Sequence, residues 1–223
     1  MPVRRVRSGL WVLALAVLCV ATGAAAGAED AAPIDTALLE APWPKQLVRT
    51  LEVGRYEVRW RQRASKRDGI FAGVRFTTPL EREAIWSRTS DFTQIGQITP
   101  GVQAVRFLED TPARQVIQID VKVLWKELTL TFEVEREPPR IMRFRLANRA
   151  FGEYRGLCVL EELPPARPGE PARTQVELST WLKTEAPIPA GLILAVERVT
   201  MLQATRSFLE SCEQQRLDSQ QVK

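Results

Sequence analysis

The chain has 223 residues, with 31 basic and 27 acidic side chains, no histidine and three cysteines. The missing histidine excludes Ser-His-acid and Cys-His nucleophilic machinery, and with so few cysteines zinc or haem would have little to bind. The glycines are scattered rather than grouped in a phosphate loop. The densest basic stretch, Arg59 to Arg67, is interleaved with Trp60, Gln62 and Ala64 like the solvated face of a strand, so no nucleic-acid footprint is present.

The first element is a leader. Arg4, Arg5 and Arg7 precede an apolar run from Leu10 to Val20, and small residues (Ala24-Ala25-Ala26 or Ala26-Gly27-Ala28) stand before Glu29. This is the layout of a secretory signal peptide over residues 1–28. The apolar run falls short of the ~20 residues of a membrane span. Leu18 before Cys19 does not suit lipidation. The expectation is a soluble protein, periplasmic or secreted. Removing the three leader arginines leaves 28 basic against 27 acidic groups, close to neutral. About 190 residues remain, enough for one domain. Dense Pro and Ala from Ala31 to Pro44 read as a tether, which divides the rest into an N-terminal linker (29–52), a domain (53–215) and a short tail (216–223).

The domain opens with a strand pattern, Gly54 to Ala64, a turn at Lys66 to Gly69, and a second strand, Ile70 to Thr78. Pro79 ends extended structure and opens a helix, Leu80 to Ser90, with Glu81 and Glu83 in the first turn, where the helix dipole favours acids. Leu80, Ala84, Ile85 and Trp86 give that helix an apolar side. Asp91 can cap a short turn to Gly96, and Pro100-Gly101 restarts the chain. Period-two alternation then marks Val102 to Leu108, Arg114 to Trp125, Glu127 to Arg136, Arg140 to Ala147 with Phe151 to Leu163, and Thr174 to Lys183. Pro164 to Pro171, with four prolines and a glycine, is a loop between strands. After Pro187 and Pro189 a long amphipathic helix is expected from Ala190 to Glu213. Its apolar stripe reads Leu192, Ala195, Val196, Val199, Leu202, Phe208 and Leu209, and its outer side carries Glu197, Arg198, Gln203, Arg206 and Glu210.

Strand, two short helices, a run of antiparallel strands and a closing helix is the order of the α+β helix-grip fold. In that fold a curved antiparallel sheet wraps around a long C-terminal helix. The segment from Phe76 to Asp110 places Pro79, Trp86, Asp91, Phe92 and Pro100 where the START-like (SRPBCC) superfamily has a Pro after the first strand, a helical Trp, an Asp-aromatic pair and a Pro before the next strand. The chain resembles that superfamily of polyketide cyclases, coenzyme Q-binding and lipid-transfer proteins from about Gly54 to Glu213. The leader and the strand before Ile70 depart from its cytosolic cyclases. The family shares a shape and not a catalytic set.

One face of the sheet is expected to be dry, lined by Ile117, Ile119, Val121, Val123 and Trp125, by Leu128, Leu130, Phe132 and Val134, by Met142, Phe144 and Leu146, and by Val176, Leu178, Thr180 and Leu182. Leu192, Val196 and Val199 of the helix stand opposite. Such a face forms either a solid core or the wall of a cavity. In the second reading Trp125, Phe132, Met142, Phe144, Tyr154, Leu178, Thr180, Leu192, Val196 and Val199 line a site for a hydrophobic small molecule or lipid, with the hydroxyls of Tyr154 and Thr180 as polar handles. Asp120, Glu127, Glu133 and Glu153 are the carboxylates that an enzyme could use, although the parity of Asp120 and Glu133 places those two on the outer face. Cys158 and Cys212 either bridge in an oxidising compartment or stay as two buried thiols. Three functions stay open. The first is an exported carrier of a lipid, quinone or polyketide-like molecule, with transient membrane contact. The second is a module with a solid core that recognises a partner through Gln94 to Gly101 and Pro164 to Pro171. The third is a cyclase-like or hydrolytic enzyme. None calls for a metal or cofactor, no catalytic residue is assigned, and the oligomeric state is undetermined.

Overall fold

The computed structural model describes residues 33–41, 48–53, 56–65, 68–94, 102–123, 126–148, 152–165, 167, 172–184 and 189–221. Its elements in chain order are α1 (Ala37–Glu40), β1 (Val48–Val53), β2 (Tyr56–Ser65), β3 (Gly69–Thr78), α2 (Arg82–Thr89), a 3₁₀ turn (Phe92–Gln94), β4 (Val102–Asp110), β5 (Arg114–Val123), β6 (Lys126–Glu137), β7 (Ile141–Leu146), β8 (Glu153–Leu163), β9 (Arg173–Lys183) and α3 (Ala190–Gln221). The strands form one sheet in the order β1-β2-β3-β9-β8-β7-β6-β5-β4, and every neighbouring pair is antiparallel. One connection breaks the meander. After β3 the chain passes through α2 to the far edge at β4, then returns strand by strand until β9 closes against β3. This is the helix-grip architecture, a curved antiparallel sheet with a long C-terminal helix.

Alternation in the sequence becomes burial because successive side chains on a strand point to opposite faces. Ile117, Ile119, Leu130, Phe132, Val134, Phe144 and Val176 are all at most 1 % exposed. Register stacks them, with Ile119 beside Leu130, Ile117 beside Phe132, and Val134 beside Phe144. The edge strand β4 follows the rule less cleanly, since its pairing shifts between Val102 and Ala104 and again between Phe107 and Glu109. Such irregularities bend an edge strand and discourage further pairing.

Gly156 is the tightest point of the dry face. It lies beside Phe144 on one side and Thr180 on the other, and a Cβ there would fall 2.0 Å from the Phe144 ring. Glycine lets that ring lie flat over the β8 backbone.

Helix α3 packs against β2 and β3, with Phe208 against Phe76 at 6.0 Å between ring centroids. Its inward face is Ile193, Glu197, Met201, Thr205, Phe208, Leu209 and Cys212, all buried. This corrects the expected stripe. Leu192 and Val199 are 53 % and 56 % exposed and point outward, while Glu197, expected outside, is 2 % exposed. The phase is set by the second half of the helix. Stepping back from Phe208 in turns of ~3.6 residues lands near 201, 197 and 193. The helix also runs to Gln221, through most of the segment read as a tail.

The convex face carries a second, smaller layer. Leu39 of α1 is buried with Leu157 and Trp181, and β1, within the segment read as a linker, pairs with β2 along its length. Arg61 pins this layer. It is 4 % exposed and donates to the carbonyls of Leu39 (3.1 Å) and Ala41 (3.2 Å) and to Ser179 Oγ (2.8 Å). Glu177 lies 3.6 Å away, and the guanidinium stacks 4.4 Å from the Phe71 ring centroid. Burial outweighs the Glu177 attraction and lowers its pKa to about 10, so it stays charged at neutral pH.

Two expected outcomes follow from these contacts. Arg61→Met removes the donors to the Leu39 and Ala41 carbonyls and should cost about 3 kcal/mol, read from urea unfolding, with proteolysis near Ala41 accelerated. Gly156→Ala should cost about 1–3 kcal/mol through overpacking, and Phe144→Leu in the same chain should restore part of that loss, a coupling that a double-mutant cycle measures.

Candidate functional site

The dry face and α3 enclose the most informative group in the protein. Phe132, Met142, Phe144, Tyr154, Leu178 and Thr180 all lie on that face, each at most 3 % exposed. Tyr154 sits between two rings, with centroids 6.2 Å from Phe132 and 6.1 Å from Phe144. Leu192 and Val199 are not part of this group, for the helical-phase reason given above. Trp125 lies outside the described residues, as does the side chain of Val196.

Three polar side chains meet in this apolar setting. Thr180 on β9 donates its hydroxyl to Glu197 Oε1 on α3 at 3.4 Å, a long and weak bond. The Tyr154 hydroxyl on β8 is close enough to Thr180 and Glu197 for both to act on its ionisation. Glu197 Oε2 is buried without a hydrogen-bond partner among the described residues. Desolvation raises the Glu197 pKa from an ordinary 4.5 to about 8, with the Thr180 bond opposing the shift. Burial, and next the Glu197 charge, also push the Tyr154 phenol well above its usual range. Glu197 is therefore mostly a neutral acid at pH 7. Sequence reasoning found Tyr154 and Thr180 but missed Glu197, because the locally more apolar stripe drew the helix phase about one residue away. The signal that finds it is Phe208, Leu209 and Cys212 farther along the same helix.

The carboxylates considered from sequence stay outside this interior. Asp120 pairs with Arg106 at 2.7 Å, Glu133 with Arg145 at 2.9 Å, Glu153 with Arg155 at 3.7 Å, and Glu127 is exposed. Cys158 and Cys212 are buried free thiols in this structure. Burial is the main reason that each is pushed up to about 12, which leaves them unreactive as thiolates. Among the described residues no group of His, Cys, Asp and Glu could hold a metal ion, and no helix is long and apolar enough to cross a membrane. A separate groove of about 460 Å³ lies on the outer side of β2, β3 and β9 and is lined by Arg59, Arg75, Arg173 and Gln175 among others. Its lining mixes charged side chains with Tyr56, Phe76 and Pro79, and its Arg75 is paired with Glu177 at 2.5 Å.

The buried acid has a signature in stability. Between about pH 4.5 and 8 the folded chain holds a proton on Glu197 that the unfolded chain gives up. Stability should therefore be greatest at the acid side of that window and fall as pH rises, by up to about 1.4 kcal/mol per unit. No histidine titrates there to obscure the slope. Glu197→Gln should flatten it, measured by urea unfolding at half-unit steps.

Comparison with known proteins agrees with this architecture. The profile of the family described as polyketide cyclase / dehydrase and lipid transport matches residues 78–209, more than half of the chain. A START superfamily protein from Mycobacterium smegmatis is similar in structure, with a TM-score of 0.52 and 15 % identity over 65 % of this chain and 97 % of that one. A STAR-related lipid transfer protein from Xanthomonas axonopodis gives 0.51 and 16 % over 74 % and 99 %. At such identities the structural likeness speaks for the fold alone. No curated protein matches the chain in sequence. With its fold and the extent of the profile match taken together, the chain belongs to the polyketide cyclase / dehydrase and lipid transport family, within the START-like superfamily.

Proposed function

We propose that this protein binds or transfers a hydrophobic small molecule, a lipid, a quinone or a polyketide-like compound, between the concave face of the sheet and α3. The observation that carries this reading is the meeting of Tyr154, Thr180 and Glu197 inside an apolar lining, with one carboxyl oxygen unpartnered among the described residues. A core selected for stability alone would fill that position with an apolar side chain, since an unsatisfied buried polar group costs about 1–3 kcal/mol. A binding site needs such groups, because apolar walls supply affinity and a few placed polar atoms supply orientation. The names carried by the family and by the Xanthomonas axonopodis neighbour support the same class of ligand.

The leader pattern read over residues 1–28 supports export, and with it a periplasmic or secreted carrier that meets membranes only in passing. The carboxylates weighed for an enzyme pair with arginines or face solvent, which favours carriage over turnover. The loops weighed for a protein-recognition module lie mostly outside the described residues.

Native mass spectrometry of the mature protein, purified from the periplasm without detergent, tests the reading. A discrete added mass that organic extraction removes is the expected result. A bare polypeptide mass that persists after incubation with total lipid extract would contradict it.

A further inference from the structure

The unpartnered oxygen of Glu197 carries information about the ligand, and the inference drawn from it rests on the ligand-binding reading above. We propose that Glu197 acts as a hydrogen-bond donor to a neutral oxygen acceptor, a ketone or ester carbonyl, on an otherwise apolar ligand.

The geometry argues this by elimination. Glu197 is 2 % exposed. Oε1 receives one long bond, from Thr180, and Oε2 receives none among the described residues. Among those residues no lysine or arginine forms an ion pair with it, although ion pairs are frequent elsewhere in the sheet. A carboxylate held this way would be desolvated and uncompensated, the costliest state available to it. The neutral acid is the form that the surroundings accommodate. A neutral acid brings an O–H, and a buried O–H requires an acceptor. Thr180 already spends its proton on Oε1, and no acceptor among the described residues lies in hydrogen-bond contact with Oε2. The acceptor is therefore left for the ligand to provide.

The alternatives meet obstacles at the same atoms. An amine would require the carboxylate form and bring its own desolvation cost. An anionic head group would meet a carboxyl and two hydroxyls with no paired cation. A pure hydrocarbon would leave the O–H unsatisfied. A carbonyl oxygen satisfies the acid without adding charge, and its apolar remainder lies against Phe132, Phe144 and Leu178.

Three ten-carbon probes, 2-decanone, decane and decylamine, test the assignment by displacement of Nile red from the mature protein at pH 7. The wild type should bind 2-decanone about tenfold more tightly than decane. Glu197→Leu should bind the two alike, with its affinity for decane kept or improved, and Glu197→Gln should retain part of the preference because its amide still donates. Equal affinity for ketone and alkane in the wild type would overturn the assignment while leaving the site intact, and needs no variant to fold. Tightest binding of decylamine would also overturn it, in favour of a carboxylate counter-ion. If no probe displaces the dye, the ligand-binding reading itself fails and this assignment falls with it.

Discussion

Everything in this molecule is arranged around the seam where α3 lies on the sheet. A strongly bent antiparallel sheet has one dry side, and that side must be covered or it aggregates. Here one helix covers it, placing Met201, Phe208, Leu209 and Cys212 inward along one half. At the other half the same face brings in Glu197. The helix therefore contributes apolar burial along its inward face, with one carboxyl group set among it. Burial sets the protonation of that group, and protonation sets the chemistry available between the helix and the sheet.

The convex side is organised differently. There a charged residue is buried among several partners: Arg61 has three hydrogen-bond acceptors, a carboxylate and an aromatic face. Glu197 on the concave side has one weak donor. Both residues are almost equally hidden from solvent, so the contrast lies in compensation and not in exposure. A compensated buried charge holds parts of a fold together, whereas a buried acid without compensation stays protonated and leaves an O–H to be satisfied. The two groups thus separate what braces the sheet from what a bound molecule would complete.

Most of the fold was legible in the sequence. Period-two alternation placed β4 to β9 within a residue or two, because a sheet with one dry face writes its geometry directly into residue order. The strand β1 was hidden, since the Pro- and Ala-rich stretch before Val48 has the composition of a tether and an edge strand needs only one partner. The site was half legible. Tyr154 and Thr180 stand on strands whose parity is unambiguous. Glu197 stands on a helix whose first turns offer two apolar stripes about one residue apart, and local hydrophobicity favours the wrong one through Leu192 and Val199. Only the register imposed by Phe208 and Leu209 against β3 resolves the phase, and that is a tertiary contact. An acid on an amphipathic helix is ordinarily solvated, so residue type also argued against its place.

The state of the Glu197 carboxyl is the claim on which this account rests. Isotope-edited infrared spectroscopy of the mature protein at pH 7, compared with Glu197→Gln, measures it directly. The account predicts a protonated carboxyl band that is absent from the variant and that shifts when a carbonyl compound is loaded. A spectrum showing only carboxylate bands at that pH would contradict it, since Glu197 would then be charged and compensated, with no proton to offer a ligand.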